Sequence, residues 1–178
     1  EVMGLAGFDF VILDMEHGPA SMLTIQSLIR AAELRSVLPI VRTAEGADWQ
    51  IGAVLDSGAG GVQIPHVSTA AQAATMVDHA RFAPEGMRGV CRYVRAADYS
   101  SQDKFDYLKA ANRALLIVQV EGSEGLANLG RIAAVPGIDV IFIGPYDLSQ
   151  SLGVPGDVNH ASVIAAVSEA VSTGAKHN

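Results

Sequence analysis

The sequence predicts an α/β fold in which parallel strands alternate with crossover helices. Two observations carry that prediction. Short, nearly continuous apolar runs recur, each followed by a segment with apolar residues at helical spacing, the pattern of strands buried on both faces and of the helices that cover them. The runs also end alike: each predicted strand delivers polar or ionisable groups at its C-terminal end. In a (β/α)8 barrel those ends converge on one mouth, where active sites sit; an open doubly wound sheet is the other option. No G-x-G-x-x-G follows the first strand, which weakens a dinucleotide-binding sheet.

The elements follow in order. Phe8 to Leu13 (FDFVIL) is the first strand. Ser21 caps a helix in which Met22, Ile25, Leu28, Ile29 and Ala32 recur at helical spacing. Leu38 to Val41 is the second strand, and Asp48 to Asp56 a short helix closed by Gly58. Gly61 to Ile64 is the third strand and Ser68 to Phe82 the next helix. The run Gly58-Ala59-Gly60-Gly61 precedes a strand instead of opening a helix, so it reads as a tight turn and not as a phosphate cradle. Residues 83–102 are irregular, and Gln102 to Asn112 is helical. Ala114 to Val120 is the fourth strand, Ser123 to Val135 a helix, Ile138 to Ile143 the fifth strand, and Ala161 to Thr173 the last helix, with Val163, Ala166, Val167 and Ala170 inward.

With 178 residues, 49% hydrophobic and 17% charged, the chain has the size of one domain with a real core. A net charge of −7 opposes nucleic-acid binding, which needs phosphate-neutralising cations. The lone Cys91 excludes an internal disulfide framework and suits the reducing cytoplasm. No apolar run approaches the roughly 18–20 residues of a membrane span, and no signal-peptide pattern opens the chain.

The strand exits hold the candidate chemistry: Asp14-Met15-Glu16-His17-Gly18, then Arg42, then Gln63, Pro65 and His66, then Gln119 and Glu121, then Gly144-Pro145-Tyr146-Asp147. Glu121 and Asp147 are candidate ligands for a hard divalent ion, Mg²⁺, Mn²⁺ or Co²⁺; the alternative is that Glu121 caps a helix and Asp147 starts a turn. A zinc cage has little support, because Cys91 has no partner and His66 and His79 lack ligand spacing. His17 can move protons near neutral pH, with Asp14, or equally Glu16, placed to orient its ring; the alternative is a polar turn saturating its own backbone. Arg42 ends an apolar strand and needs an anion: it neutralises Glu16 or Glu121, or binds a substrate oxygen, and both can hold at once. Arg88 is a further candidate to face the mouth. The lysines, Lys104, Lys109 and Lys176, all lie away from strand exits, which argues against Schiff-base chemistry.

The blocks GFDFVILDMEHGP (7–19), PIVR (39–42), GGVQIPHV (60–67), RFAPEGMRGV (81–90), VQVEG (118–122) and FIGPYDLSQSLG (142–153) together resemble the metal-dependent pyruvate aldolases, the class II 4-hydroxy-2-oxoheptanedioate aldolase family grouped with citrate lyase β. The resemblance implies that Glu121 and Asp147 bind the metal, that His17 is the base with Asp14 as its partner, and that Arg42 contacts the keto oxygen. It implies substrate contacts for Gln119 and for the backbone around Gly144, Pro145 and Tyr146. The implied activity is a carbon–carbon lyase that reversibly cleaves 4-hydroxy-2-oxo acids to pyruvate and an aldehyde through a metal-bound pyruvate enolate. The implied protein is a cytoplasmic homo-oligomer, a hexamer in relatives, working on small molecules and not on nucleic acid or membrane.

A full (β/α)8 barrel takes about 250 residues. The expectation is therefore a single-domain partial barrel over 1–178, about five of eight βα units, with N- and C-terminal units missing. Three other readings stand beside the aldolase: an acyl-CoA lyase of the citrate lyase β type, which would need a basic patch for CoA phosphates, a non-catalytic truncated barrel, and a different barrel enzyme that uses a carboxylate pair without metal.

Overall fold

A computed structural model describes residues 1–176. Its five strands, β1 (Phe10–Asp14), β2 (Leu38–Arg42), β3 (Gly61–Ile64), β4 (Leu115–Val120) and β5 (Val140–Ile143), form one sheet in sequence order, every neighbouring pair parallel. The sheet is not closed, and β1 and β5 are its edges. The helices are α1 (Val2–Leu5), α2 (Met22–Glu33), α3 (Trp49–Asp56), α4 (Ala70–Ala80), α5 (Lys104–Ala111), α6 (Ser123–Ala127), α7 (Leu129–Ala133), α8 (Pro145–Ser151) and α9 (Ala161–Gly174). Among the described residues, none is long and apolar enough to cross a membrane.

Side-chain alternation along the strands sorts the sheet into two faces. Val41, Val62, Ile64, Leu116, Val118 and Val120 join Ile25 and Ile29 of α2, Ile51 and Val54 of α3 and Met76 of α4 in the main core. The alternate positions form the other face. There Phe10, Ile12, Leu38, Val140 and Phe142 are exposed, while Asp14, Arg42, Gln63, Gln119 and then Glu121 occupy the C-terminal end. That face is apolar at one end and polar at the other, so a polar site gathers at a single rim.

Local signals place the helices. Ser21 caps α2 by accepting the Thr24 N–H at 3.3 Å, and Thr69 and Gln72 close a capping box on α4. The turn before β3 uses Gly58 at φ 97°, a conformation glycine adopts without strain. The amides of Gly58, Ala59 and Gly60 are spent on Leu55, Val54 and Pro39 carbonyls, so this turn has no donors left for a phosphate.

The structure departs from the sequence reading in several places, beginning with α1, a short helix ahead of β1 that was not expected, and with β1 itself, which starts at Phe10 and not at Phe8. The helix expected over 123–135 breaks into α6 and α7 at Asn128, whose Nδ2 donates to the Ser68 carbonyl at 3.0 Å; a short amide side chain competes with helical bonding. Asp147, for which the start of a turn was one of two readings, lies instead inside α8, which Pro145 opens in its first turn, where a missing N–H costs nothing. The stretch expected to be irregular holds a 3-10 segment, Arg95–Ser100, in which Asp98, Tyr99 and Ser100 all have positive φ.

Candidate functional site

The rim assembles from strand register. Asp14 and Arg42 are partners in the β1–β2 ladder, and Arg42 pairs with Gln63 in the next. Arg42 donates from Nε and Nη2 to the two Asp14 oxygens at 2.8 and 2.6 Å, and its Nη1 lies 3.1 Å from Glu16 Oε2. Asp14 Oδ1 also accepts the Glu16 backbone N–H at 3.0 Å and, more weakly, that of His17 at 3.5 Å. The hydrogen bond from Arg42 holds the Asp14 carboxyl below its ordinary value and raises that of the guanidinium. The pair is a fixed, charged fork at the end of two strands.

Glu121, just past β4, is buried. Its Oε1 accepts the His66 backbone N–H at 2.9 Å and its Oε2 accepts from Gln119 Nε2. Gln119 Oε1 in turn accepts from Gln63 Nε2 at 2.5 Å. A polar rail thus runs from β3 to β4 and aims the Glu121 carboxylate. The β5–α8 loop closes over it: a Cβ added to Gly144 would fall 2.5 Å from Glu121 Oε2, so only glycine fits there without a shift.

His66 sits at φ 55°, one residue (Pro65) past the end of β3. Its Nδ1 lies 3.3 Å from Glu121 Oε1 and its Nε2 3.4 Å from Glu16 Oε1. Ligand-type atoms of Glu16, His66 and Glu121 all fall within 4.8 Å of one another. The Glu16 side chain is 7% exposed. Burial is the main cause that pushes its carboxyl up, countered by Arg42 and reinforced by Glu121. Three carboxylates against one guanidinium leave this rim with surplus negative charge, and low-dielectric surroundings make that costly unless a cation joins.

Each sequence-predicted residue has a place. Asp14, Arg42, Gln119, Glu121 and Gly144 converge on the rim. Asp14 gives its carboxylate oxygens to Arg42, while its contact with His17 is through the backbone N–H. His17 is exposed beside it. Asp147 is exposed in the first turn of α8, outside the Glu16–His66–Glu121 cluster. Tyr146 is exposed too. Arg88 is not at the mouth: it pairs with Asp56 at 2.6 Å and stacks over Phe82, because its buried guanidinium needs an anion and the part-exposed Asp56 supplies one. His66 was discounted on spacing, yet its position right after Gln63-Ile64-Pro65 at a strand exit was a usable signal.

A partly open parallel α/β sheet with an acidic, arginine-bearing rim at its C-terminal end defines a barrel-type enzyme scaffold. The chain belongs to the HpcH/HpaI aldolase/citrate lyase family, whose pattern it matches over residues 1–178. It is 40% identical over 184 residues to a hydroxypyruvate/pyruvate aldolase of Paraburkholderia phytofirmans, covering 99% of this chain and 70% of that protein. It is 36% identical to the 5-keto-4-deoxy-D-glucarate aldolase of Klebsiella pneumoniae, covering 99% and 69%. The crystal structure of a family protein from Burkholderia cenocepacia superposes with a TM-score of 0.92 at 36% identity, covering 99% of this chain and 70% of that one. The chain spans about two thirds of the length of the curated relatives it matches. By family and by these relatives it is a sequence of the aldolase, carbon–carbon lyase class.

Proposed function

We propose that this protein is a metal-dependent aldolase that cleaves, and in reverse forms, 4-hydroxy-2-oxo acids, with pyruvate and an aldehyde as the other partners. The observation that carries this reading is the buried Glu121 carboxylate, aimed by Gln119 and the His66 amide and covered by Gly144. A buried carboxylate beside a second buried carboxylate fits a bound cation. Glu121 would hold it, Mg²⁺, Mn²⁺ or Co²⁺, with Asp147, exposed in the first turn of α8, as the second ligand that the family resemblance implies. When bound, such an ion supplies Lewis acidity at the keto oxygen of the 2-oxo acid.

The chain's own groups do the rest. Arg42, locked by Asp14 and Glu16, offers a preorganised positive charge where negative charge develops on the keto oxygen. His17, exposed at the rim, takes the proton of the C4 hydroxyl during cleavage and returns it during condensation. Gln119 and the backbone of Gly144, Pro145 and Tyr146 receive the carboxylate end. We place the enzyme in the cytoplasm on its single, exposed Cys91, and as a homo-oligomer on its exposed Trp49, Met87, Val90 and Tyr93.

The test is pyruvate release from a panel of 4-hydroxy-2-oxo acids by the full-length protein. Chelation should abolish release, and Mn²⁺, Co²⁺ or Mg²⁺ should restore it. Release that is unaffected by complete metal removal ends this reading.

A further inference from the structure

We propose that Gln63 is a positioning residue. Its side-chain amide holds the Gln119 amide in one orientation, which makes Gln119 a hydrogen-bond donor to the carboxylate of a 2-oxo acid and sets the site against the corresponding carboxamide. This role rests on the aldolase reading above and adds a selectivity to it.

The polar rail from β4 to β3 has a direction, and one end sets it. A carboxylate accepts hydrogen bonds and cannot give them. Glu121 Oε2 therefore takes an N–H from Gln119 Nε2, and that contact decides which way the Gln119 amide points. Its Oε1 is turned toward β3, where it accepts from Gln63 Nε2 at 2.5 Å. Gln63 is left with its own Oε1 at the far end, and that oxygen has no hydrogen-bond partner. Arg42 is its neighbour in the β2–β3 ladder, but the guanidinium is committed elsewhere. Nε and Nη2 donate to Asp14, and Nη1 lies 3.1 Å from Glu16.

Gln63 is only 1% exposed, and a buried acceptor left without a donor is costly. An apolar side chain of the same length would fill the space without that cost. What the amide alone supplies is the N–H given to Gln119. The consequence falls on Gln119, which spends its oxygen and one N–H inside the rail and has its second N–H left to offer. A Cβ added to Gly144 would fall 3.2 Å from Gln119 Nε2, so this nitrogen lies against the β5–α8 loop, whose backbone is proposed above to receive the carboxylate. A carboxylate oxygen accepts there, whereas the NH2 of a carboxamide is itself a donor and finds no acceptor. Without the Gln63 donor the Gln119 oxygen is buried and unpaired, and the amide is held at one end only. The competing account is that Gln63 simply fills the space between β2 and β4.

The experiment uses the full-length protein with divalent metal supplied. It follows exchange of the methyl protons of pyruvate and of pyruvamide with solvent deuterium by NMR, a reaction that needs no aldehyde. Gln63→Met keeps the length of the side chain and removes the donor. Its melting temperature should stay within about 2–3 °C of wild type, because one unpaired oxygen, on Gln63, is exchanged for another, on Gln119. KM for pyruvate should rise about 10–100-fold, the worth of a hydrogen bond to a charged group, while kcat holds, the pattern of lost binding. The preference for pyruvate over pyruvamide should shrink by about tenfold or more, since pyruvamide never gained that bond. Gln63→Leu, with a different shape, should reproduce both changes. In a Gln119→Met background, Gln63→Met should add no further loss, because its effect runs through Gln119. An unchanged KM, equal losses for the two compounds, or losses that add across the double variant reduce Gln63 to filler and leave the aldolase reading standing. A wild type that neither exchanges pyruvate protons nor releases pyruvate from 4-hydroxy-2-oxo acids takes down both.

Discussion

Asp14 and Arg42 stand opposite each other in the β1–β2 ladder, and their side chains close a two-point ion pair at 2.8 and 2.6 Å across the strand ends. A guanidinium held by such a fork cannot be replaced by an ammonium of the same charge. Arg42→Lys should therefore lower kcat for cleavage by about 10²–10³-fold, the cost of removing one preorganised donor. Asp14→Asn should act through Arg42 by loosening it. The double variant should then be little worse than Arg42→Lys alone, since the two residues act as a unit. Steady-state kinetics on the four proteins checks this; strictly additive losses would separate Asp14 from Arg42.

The same pair sets a pH dependence of stability. The hydrogen bond from Arg42 lowers the Asp14 carboxyl below its ordinary 3.8. Because the folded state binds this proton less readily than the unfolded state, the pair's contribution is complete above about pH 4 and fades as pH falls through the depressed folded value. Thermal unfolding should show Asp14→Asn less stable than wild type by a constant margin from pH 5 to 7, and that margin should shrink below pH 4. A margin that grows on acidification has the wrong sign and would discard the assignment.

Strand positions were legible because each strand is a short apolar run: β3 falls on the expected residues, and β2 extends its run by Arg42 alone. The rim was legible for the same reason, since polar residues at strand exits interrupt the runs. The Arg42–Glu16 pair was among the partners the sequence offered, but the rest of the partnering could not be read. Asp14 is three residues from His17 and twenty-eight from Arg42, yet parallel register puts it opposite Arg42. Glu16 and Glu121 are brought to the two sides of the His66 ring by three different strand exits, and no local spacing encodes that meeting. The α8 helix was hidden because Gly-Pro-Tyr-Asp has turn chemistry, and Pro at a helix start looks the same in sequence as Pro in a turn.

His17 is exposed at the β1 exit. An exposed ring contributes little to the fold, so His17→Ala should leave the melting temperature within about a degree or two. Its effect should fall on catalysis instead, with kcat down by about 10²–10⁴-fold, the usual worth of a positioned acid–base group. Full activity in His17→Ala would move the proton transfer to another group.

Gly144 offers the sharpest steric test of how the site is built. Its φ of −89° is open to any residue, so Gly144→Ala introduces no backbone strain. The new methyl would instead arrive 2.5 Å from Glu121 Oε2, 2.9 Å from Glu121 Cβ and 3.2 Å from Gln119 Nε2, and all three belong to the rail that aims the carboxylate. Metal affinity should drop by about 10–100-fold, as it does when the groups that orient a ligand are disturbed, while pyruvate release falls in parallel. Gly153→Ala is the matched control. It sits at φ 77° with no atom within 4 Å of the added carbon, so it should cost stability through strain alone and leave metal affinity untouched. Calorimetric Mn²⁺ titration and thermal unfolding of the two variants read these effects separately. If Gly144→Ala binds the ion as tightly as wild type, Glu121 does not hold it from beneath this loop.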